Sequence, residues 1–400
     1  MNFAEIGVSG YYLDLESSGG KLRKNSEDFY VEEQFDSLEK KEDGKVLVLK
    51  LKSKNWEHNR LIRFLARSNH ISPKRILFAG TKDRRSVKVQ YFSIPGARYR
   101  DFHLDDVEVL EHFYLDSPLT VGSHSRNFFE IRISDSDSTI FQTNCGSVKK
   151  AGMVPNFYGP QRFGSLRPIT HLVGKEMLKG NYKEAVRVFV GYPGEDRFAE
   201  VRKQYYENPD PVMGLSIFPE SLDLERMVME HLVNNQEDYS GAIKKLPDNL
   251  VSMFIHAYQG YIFNKILSRR LEMKKFPLPG DVFHFNDEFI RINNLNLDKM
   301  TLAFKRGDGS PTGLIIGYDT DLATGAVGDL ENEIVEQEGI KTSDFKLPFG
   351  LSSRGERRDL FLRFKDFDYD DSSVRFALPP GGYATSVLRE IMRVDEMANY

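Results

Sequence analysis

Three observations predict an α+β fold for this chain of 400 residues. Short segments of alternating character lie near its start, a helix-rich stretch fills its middle, and basic, strand-like texture returns in the final fifty residues. A composition of 40% hydrophobic and 28% charged residues is that of a globular protein rather than a disordered or fibrous one. At roughly 100–200 residues per domain, the length implies two or three domains, each able to bury a core. No repeat of 20–50 residues and no long low-complexity tract interrupts the pattern.

Residues 27–35 (EDFYVEEQF) and 45–51 (KVLVLKL) read as strands, the second by its Val/Leu alternation. Asn55 is expected to cap a helix from Trp56 to about Ser68, with Leu61, Phe64 and Leu65 forming its apolar face. Arg60, Arg63 and Arg67 share the i, i+3, i+7 spacing and so project from one side of that helix, which Pro73 is expected to stop. ILFAG (76–80) and VKVQYFSI (87–94) follow as strands, joined by the polar loop GTKDRRS (80–86) at the strand ends. Residues 166–250 are helix-rich, and 253–275 carry the strongest helical pattern in the chain. The stripe Phe254, Ala257, Tyr258, Tyr261, Ile262 and Leu267 of that helix is expected to be core. Turn residues around 277–283 and 309–317 frame short strands. Near the end, Arg354, Arg357, Arg358 and Arg363 precede VRFALPPGGYATSVLREIMR, a strand closed by Pro379 to Gly382 and a helix from Ala384 to Arg393.

Composition excludes several classes. Cys145 is the one cysteine, so an intramolecular disulfide and a cysteine-rich zinc site are out. TNCGSV carries no Cys/His signature, so a small, partly buried side chain is expected there. The nine histidines are scattered without HExxH, so no metal site is expected, and neither GxGxxG nor a P-loop calls for a nucleotide cofactor. The first residues lack a basic start followed by an apolar run, and nothing approaches ~18 uninterrupted apolar residues. A soluble, cytoplasmic protein without a membrane partner is expected.

Charge is more informative. The net charge is −4, yet Lys50 to Gln90 holds twelve Lys/Arg against Glu57 and Asp83. That stretch carries +10 and the remainder −14, with eight acids between Asp319 and Asp344 against Lys341. A basic face on an acidic body is the footprint expected for a phosphate-bearing partner, although a solvated basic helix beside a basic loop gives the same count. In the loop, Asp83 sits among Lys82, Arg84 and Arg85, which favour a charged carboxylate. Two readings stay open on the residues alone: a carboxylate suited to nucleophilic or base chemistry on a nucleotide, and a turn aspartate satisfied by local ion pairs. Aromatics interleaved with cations recur at Arg23 and Phe29, at Arg126, Asn127, Phe128 and Phe129, and at Arg375 and Phe376. Such sets offer stacking platforms for unstacked bases, and equally the ordinary core of a chain with 29 phenylalanines. NFYGPQRFGS (156–165) is a polar, aromatic, glycine-rich loop, either functional or a structural junction.

SEDFYVEE, AGTKDRRSVKVQ, NFYGPQRFGS, HAYQGYIFNKILSRR and FALPPGGYATSVLREIMR, in this order, resemble the signature segments of the TruD family of tRNA pseudouridine synthases. The resemblance covers nearly the whole chain. It implies a pseudouridine synthase-type domain of mixed sheet and flanking helices from residues 1–157 plus 355–400, interrupted by a mixed α/β insertion domain at 158–354. It implies Asp83 as the catalytic aspartate and Lys82 as the lysine before it. It places Phe29, Asn127, Phe129 and Phe376 around the target uracil. On such an enzyme Lys82, Arg84 and Arg85 are expected to hold phosphates or to keep Asp83 ionised, and the Arg60–Arg63–Arg67 face is a candidate RNA-docking surface. Ser26 stands where the family has proline, and Arg23 where it often has lysine, so a role for Arg23 is the least specific of these. The implied reaction breaks the N1–C1′ bond of a uridine in tRNA, uridine 13 of the D-arm, turns the base and joins C5 to C1′, without a cofactor. The base must leave its helix to reach a carboxylate. Attack of Asp83 on C1′, its attack on C6, and proton removal from C2′ all remain open. The alternatives are a non-catalytic RNA-binding or RNA-folding protein on the same basic face, and a nucleoside glycosidase, which would need a second carboxylate. The oligomeric state is not legible in these residues.

Overall fold

The structure, a computed structural model, describes residues 1–273, 276–347 and 350–400. The chain divides into two compact units. One comprises Leu13–Val154, Leu362–Val394 and Asn399–Tyr400; the other comprises Met1–Tyr12, Pro155–Phe361 and Asp395–Ala398. The chain thus passes between units at 154/155 and 361/362, where the sequence suggested 157/158 and 354/355, and its first twelve residues belong with the middle segment.

The unit containing Leu13–Val154 is built on one mixed sheet. Its strands are β1 (Phe29–Gln34), β2 (Val46–Lys54), β3 (Leu77–Phe78), β4 (Val87–Pro95), β5 (Val107–Leu115), β6 (Arg126–Arg132), β7 (Lys365–Tyr369) and β8 (Ser373–Leu378). They lie in the order β7-β8-β6-β1-β4-β2-β5, with β3 also paired to β4. Every neighbouring pair is antiparallel except β1 and β4, which run parallel at the centre. Helices α1 (His58–Ser68), α2 (Ser138–Ala151) and α3 (Ala384–Met392) supply the apolar cover.

Strand periodicity explains where the core sits. Successive side chains alternate faces, so Phe29, Val31 and Glu33 of β1 face one side and register with Ile131, Phe129 and Asn127 of β6. Phe376 and Leu378 of β8 continue that row. On its far half this row is buried with Phe141, Cys145 and Val148 of α2 and Val387, Leu388 and Ile391 of α3. On the other half, Leu47, Leu49, Leu51, Phe92 and Ile94 pack against Leu61, Ile62 and Leu65 of α1. Cys145 is fully rather than partly buried, and burial pushes its thiol up to about 12. Between the two apolar halves the same face carries Glu33, Lys88, Gln90 and Asn127, all buried.

The strong local signals located the elements, and the Arg-bearing helix ends at Ser68 as expected, but different residues set its ends. The Arg-bearing helix is capped by Glu57, whose carboxylate accepts from the backbone N–H of Asn59 and Arg60, rather than by Asn55. Asn55 lies at φ 58° and donates its side-chain amide to Ser26 Oγ. The helix ends at Ser68, where Asn69 donates its side chain to the Leu65 carbonyl and His70 turns left-handed at φ 53°. Pro73 acts later, opening a 3-10 turn at Pro73–Arg75.

The other unit is mostly helical. Thr170–Leu178, Tyr182–Gly191, Ala199–Glu207, Pro211–Ile217, Asp223–Asn234 and Tyr239–Lys244 precede the long helix Asp248–Glu272. That helix buries Phe254, Ala257, Tyr258, Ile262 and Leu267, while Tyr261 of the expected stripe is only partly covered. The last two residues of the helical pattern, Lys274 and Lys275, lie outside the described residues. A four-stranded antiparallel sheet follows, in the order Glu288–Arg291, Val282–Phe285, Gly309–Ile315 and Glu356–Asp359.

Candidate active site

The loop Ala79–Ser86 runs from β3 to β4, over the polar middle of the sheet. Its course is set by side chains beneath it. Gln90 Nε2 donates to the Gly80 carbonyl at 2.9 Å, Ser86 Oγ to the Asp83 carbonyl at 2.8 Å, and Lys88 Nζ to that same carbonyl at 3.2 Å. Gly80 lies close over the side chains beneath it and is not in a left-handed turn. A Cβ there would lie 2.8 Å from Lys82 Nζ and 3.1 Å from Glu33 Oε1.

With its backbone held, the Asp83 carboxylate faces outward and is about one-third exposed. Its oxygen Oδ2 pairs with Arg23 Nη2, a partner 60 residues away. The aspartate is therefore not a turn residue satisfied by its own loop. Arg23 is itself fixed three ways. It adopts φ 58°, its guanidinium lies 4.3 Å over the Phe29 ring, and its carbonyl accepts from Arg85 Nη2 at 2.8 Å. From Phe29 an aromatic chain continues to Phe129 at 6.1 Å and then to Phe376 at 5.6 Å, centroid to centroid. Phe29, Phe129 and Phe376 are 4%, 7% and 0% exposed, so they form a packed wall rather than an open stacking platform. Asn127, buried and opposite Glu33 on the neighbouring strand, has a side-chain carbonyl oxygen without a hydrogen bond among the described residues.

Lys82, expected to hold a phosphate or keep Asp83 ionised, is turned inward. It pairs with Glu33 at 2.6 Å, with side-chain exposures of 9% and 0%. Glu33 also accepts from the Tyr91 N–H at 3.0 Å. Burial pushes the Glu33 carboxyl above the ordinary range, against the opposing pull of the Lys82 ammonium. Beside the pair, burial pulls His124 down to about 4, with Lys82 adding to the shift, so its imidazole is neutral at physiological pH. Arg84 and Arg85 remain exposed. Arg60, Arg63 and Arg67 are exposed along the outer side of α1, and Arg60 lies 5.0 Å over the Trp56 ring. The structure thus gathers Asp83, Arg23, Arg85, Phe29, Phe129 and Phe376 into one connected set, and leaves the α1 arginines apart from it.

Glu33, Lys88 and Gln90 were missed from the sequence, yet a signal existed. Period two puts Glu33 on the face of Phe29 and Val31, and Lys88 and Gln90 on the face of Phe92 and Ile94. A charge on an apolar strand face requires a partner, and the nearest polar loop was 80–86.

NFYGPQRFGS belongs to the other unit, where Asn156 and the Tyr158 backbone are bonded internally. Asn156 donates to the Asp359 carbonyl at 2.9 Å and accepts from Arg358 at 2.7 Å, while Asn264 of the long helix brackets the Tyr158 backbone. Phe157 and Phe163 are buried, and Arg358 stacks 4.3 Å over the Tyr158 ring. These contacts tie part of the segment into its unit, while Gln161 Oε1 and Arg162 Nε are left without a hydrogen bond among the described residues.

No group of three or more His, Cys, Asp or Glu among the described residues could hold a metal ion, and no described helix is long and apolar enough to cross a membrane. Comparison with known proteins covers the chain almost end to end. The family model described as tRNA pseudouridine synthase D (TruD) matches residues 5–391. A Methanococcoides burtonii protein named "Probable tRNA pseudouridine synthase D" is 37% identical over 430 residues, covering 98% of this chain and 97% of the relative. A Pyrococcus furiosus protein of the same name is 36% identical, covering 97% and 99%. A crystal structure of a Methanosarcina mazei protein named "Putative tRNA pseudouridine synthase D (TruD)" superposes with a TM-score of 0.81 at 33% identity, covering 99% of this chain and 98% of that one.

Proposed function

Because the chain belongs to the TruD family of tRNA pseudouridine synthases, we propose that it isomerises uridine 13 in the D-arm of tRNA to pseudouridine, with Asp83 as its essential carboxylate. The observation that carries this reading is the state of Asp83. Its main chain is tied down by Ser86 and Lys88, its side chain is oriented by Arg23, and one part of the carboxylate still reaches solvent. A carboxylate so held is pre-organised for attack or proton removal at the ribose or base, and loses little freedom when substrate arrives. Arg23 counters its charge without covering it.

The target base reaches Asp83 only by leaving the tRNA stack. Phe29, Phe129 and Asn127 line the side toward which it turns. The free Asn127 carbonyl oxygen is an acceptor suited to the uracil N3–H. Arg84 and Arg85 meet phosphates flanking the flipped nucleotide, and the α1 arginines bind the tRNA backbone at a distance. The unit of Leu13–Val154 and Leu362–Val394 is the catalytic part in this reading, and the mostly helical unit is the family's insertion domain.

The test is tritium release from tRNA labelled at uridine C5, followed by mapping of the modified position. Native protein is expected to release tritium at a single site, while Asp83→Asn binds tRNA with nearly native affinity and releases none. Full activity in that variant refutes the assignment. Binding without release by the native protein would leave the non-catalytic RNA-binding alternative.

A further inference from the structure

Lys88 is an anomaly of the sheet. Its side chain is 0% exposed, on a strand face whose next members are Gln90, Phe92 and Ile94. Its ammonium donates to two main-chain carbonyls, those of Asp83 at 3.2 Å and Trp56 at 2.5 Å. The first belongs to the loop that carries the carboxylate. The second lies immediately before Glu57, the residue that caps α1. One ammonium therefore joins the reactive loop to the root of the arginine helix.

We propose that Lys88 is a positioning residue, setting the height and orientation of Asp83 by clamping its carbonyl to the entry of α1. The proposal rests on Asp83 being the reactive carboxylate. Two physical points support it beyond the distances. A lysine without a bonded carboxylate is a poor way to fill a core, because a buried charge is costly unless it is paired or hydrogen-bonded. Its presence needs a local reason, and the bond to the Asp83 carbonyl supplies one. Second, the surroundings leave Lys88 as the cation under the loop's pivot. His58, at the start of α1, packs at 4.4 Å against Phe78 and 5.9 Å against Phe92, and burial pulls it down to about 4, so it is neutral.

The titratable groups facing Lys88 are Asp83 and Lys82 from the loop, with Glu57 and the neutral His58 from the start of α1; Ser53 stands opposite on β2. Burial lowers the ammonium to about 8, against the attraction of Asp83 and Glu57. As pH rises through that value the clamp loses its positive charge, and charge-assisted bonds to two carbonyls become ordinary ones of about half the strength.

The experiment compares native full-length protein, Lys88→Met, Ser86→Ala and their double variant in pseudouridine formation on tRNA, with Asp83→Asn in parallel. Lys88→Met is expected to lower kcat at least about tenfold, with KM for tRNA within about twofold and a melting temperature lowered by at most about 10 °C. Removing Ser86 as well, the other side-chain donor to the Asp83 carbonyl, is expected to lower kcat further. Native kcat is expected to decline as pH rises through about 8, and Lys88→Met to lack that limb. Native kcat in Lys88→Met overturns the proposal while leaving Asp83 intact as the reactive group. So does a loss of kcat accompanied by equal losses in tRNA affinity and melting temperature, the signature of a purely structural lysine. Should the variant not fold, the native profile decides, and a kcat that is flat across pH 7–9 overturns the clamp. Activity in Asp83→Asn instead removes the reading on which it rests.

Discussion

Replacing Lys82 by methionine keeps most of the side-chain volume and deletes one charge. Glu33 then holds a fully buried carboxylate without its ammonium partner, while the bond from the Tyr91 N–H at 3.0 Å stays in place. Breaking one partner out of a buried ion pair costs about 3–5 kcal/mol, because the other charge is left desolvated. For a domain of this size each kcal/mol moves the melting temperature by about 2–4 °C, so the expected fall is roughly 6–20 °C. The pH dependence has a definite sign. Burial already raises the Glu33 carboxyl above its unfolded value, and loss of Lys82 raises it further, so the folded variant takes up a proton at higher pH than the unfolded chain does. The destabilisation is complete above that folded value, shrinks as pH falls through it and vanishes near the unfolded value. Urea unfolding at several values between pH 5 and 8 measures both features. The double variant Lys82→Met/Glu33→Gln is expected to recover most of the loss, since a neutral amide keeps the contact with Tyr91 without the buried charge. A single variant costing less than about 1 kcal/mol at pH 7, or a destabilisation that grows toward acid, refutes this account of the pair.

Other outcomes follow from the same geometry. Alanine at Arg60, Arg63 and Arg67 is expected to weaken tRNA binding and to flatten the plot of log affinity against log salt by about 0.7–0.9 for each phosphate that is no longer neutralised, measured by filter binding at several salt concentrations. Glu57→Ala removes the carboxylate that caps α1 and is expected to cost about 1 kcal/mol in chemical denaturation, and an unchanged urea midpoint rules out the assignment of the cap to Glu57. Phe129→Ala opens a cavity beside Phe29 and Phe376 and is expected to cost about 3–5 kcal/mol, read from the urea midpoint.

Local pattern determined much of this protein. Alternation in EDFYVEEQF and VKVQYFSI located β1 and β4 within a few residues, helical spacing located α1 and the long helix, and a specific ordered set of motifs identified the family. These signals are legible because strand and helix periods are properties of adjacent residues. The same period even contained the buried positions of Glu33 and Lys88. Tertiary structure decided what those residues do. The ion pair between Arg23 and Asp83 spans 60 residues, and that between Lys82 and Glu33 spans 49. Both depend on β1 and β4 lying side by side and parallel, with β2 and α1 folded back between them in sequence. Asn55 and Pro73 failed as helix signals for a related reason. Each had a competing partner or turn nearby in space, Ser26 in one case and the left-handed His70 in the other. Lys82 faces inward because a carboxylate from another strand lies beneath it, and no reading of GTKDRRS by itself contains that carboxylate. A side chain's partner is set by the topology that brings distant strands together, whereas its place in a strand or helix is set by its neighbours in the chain.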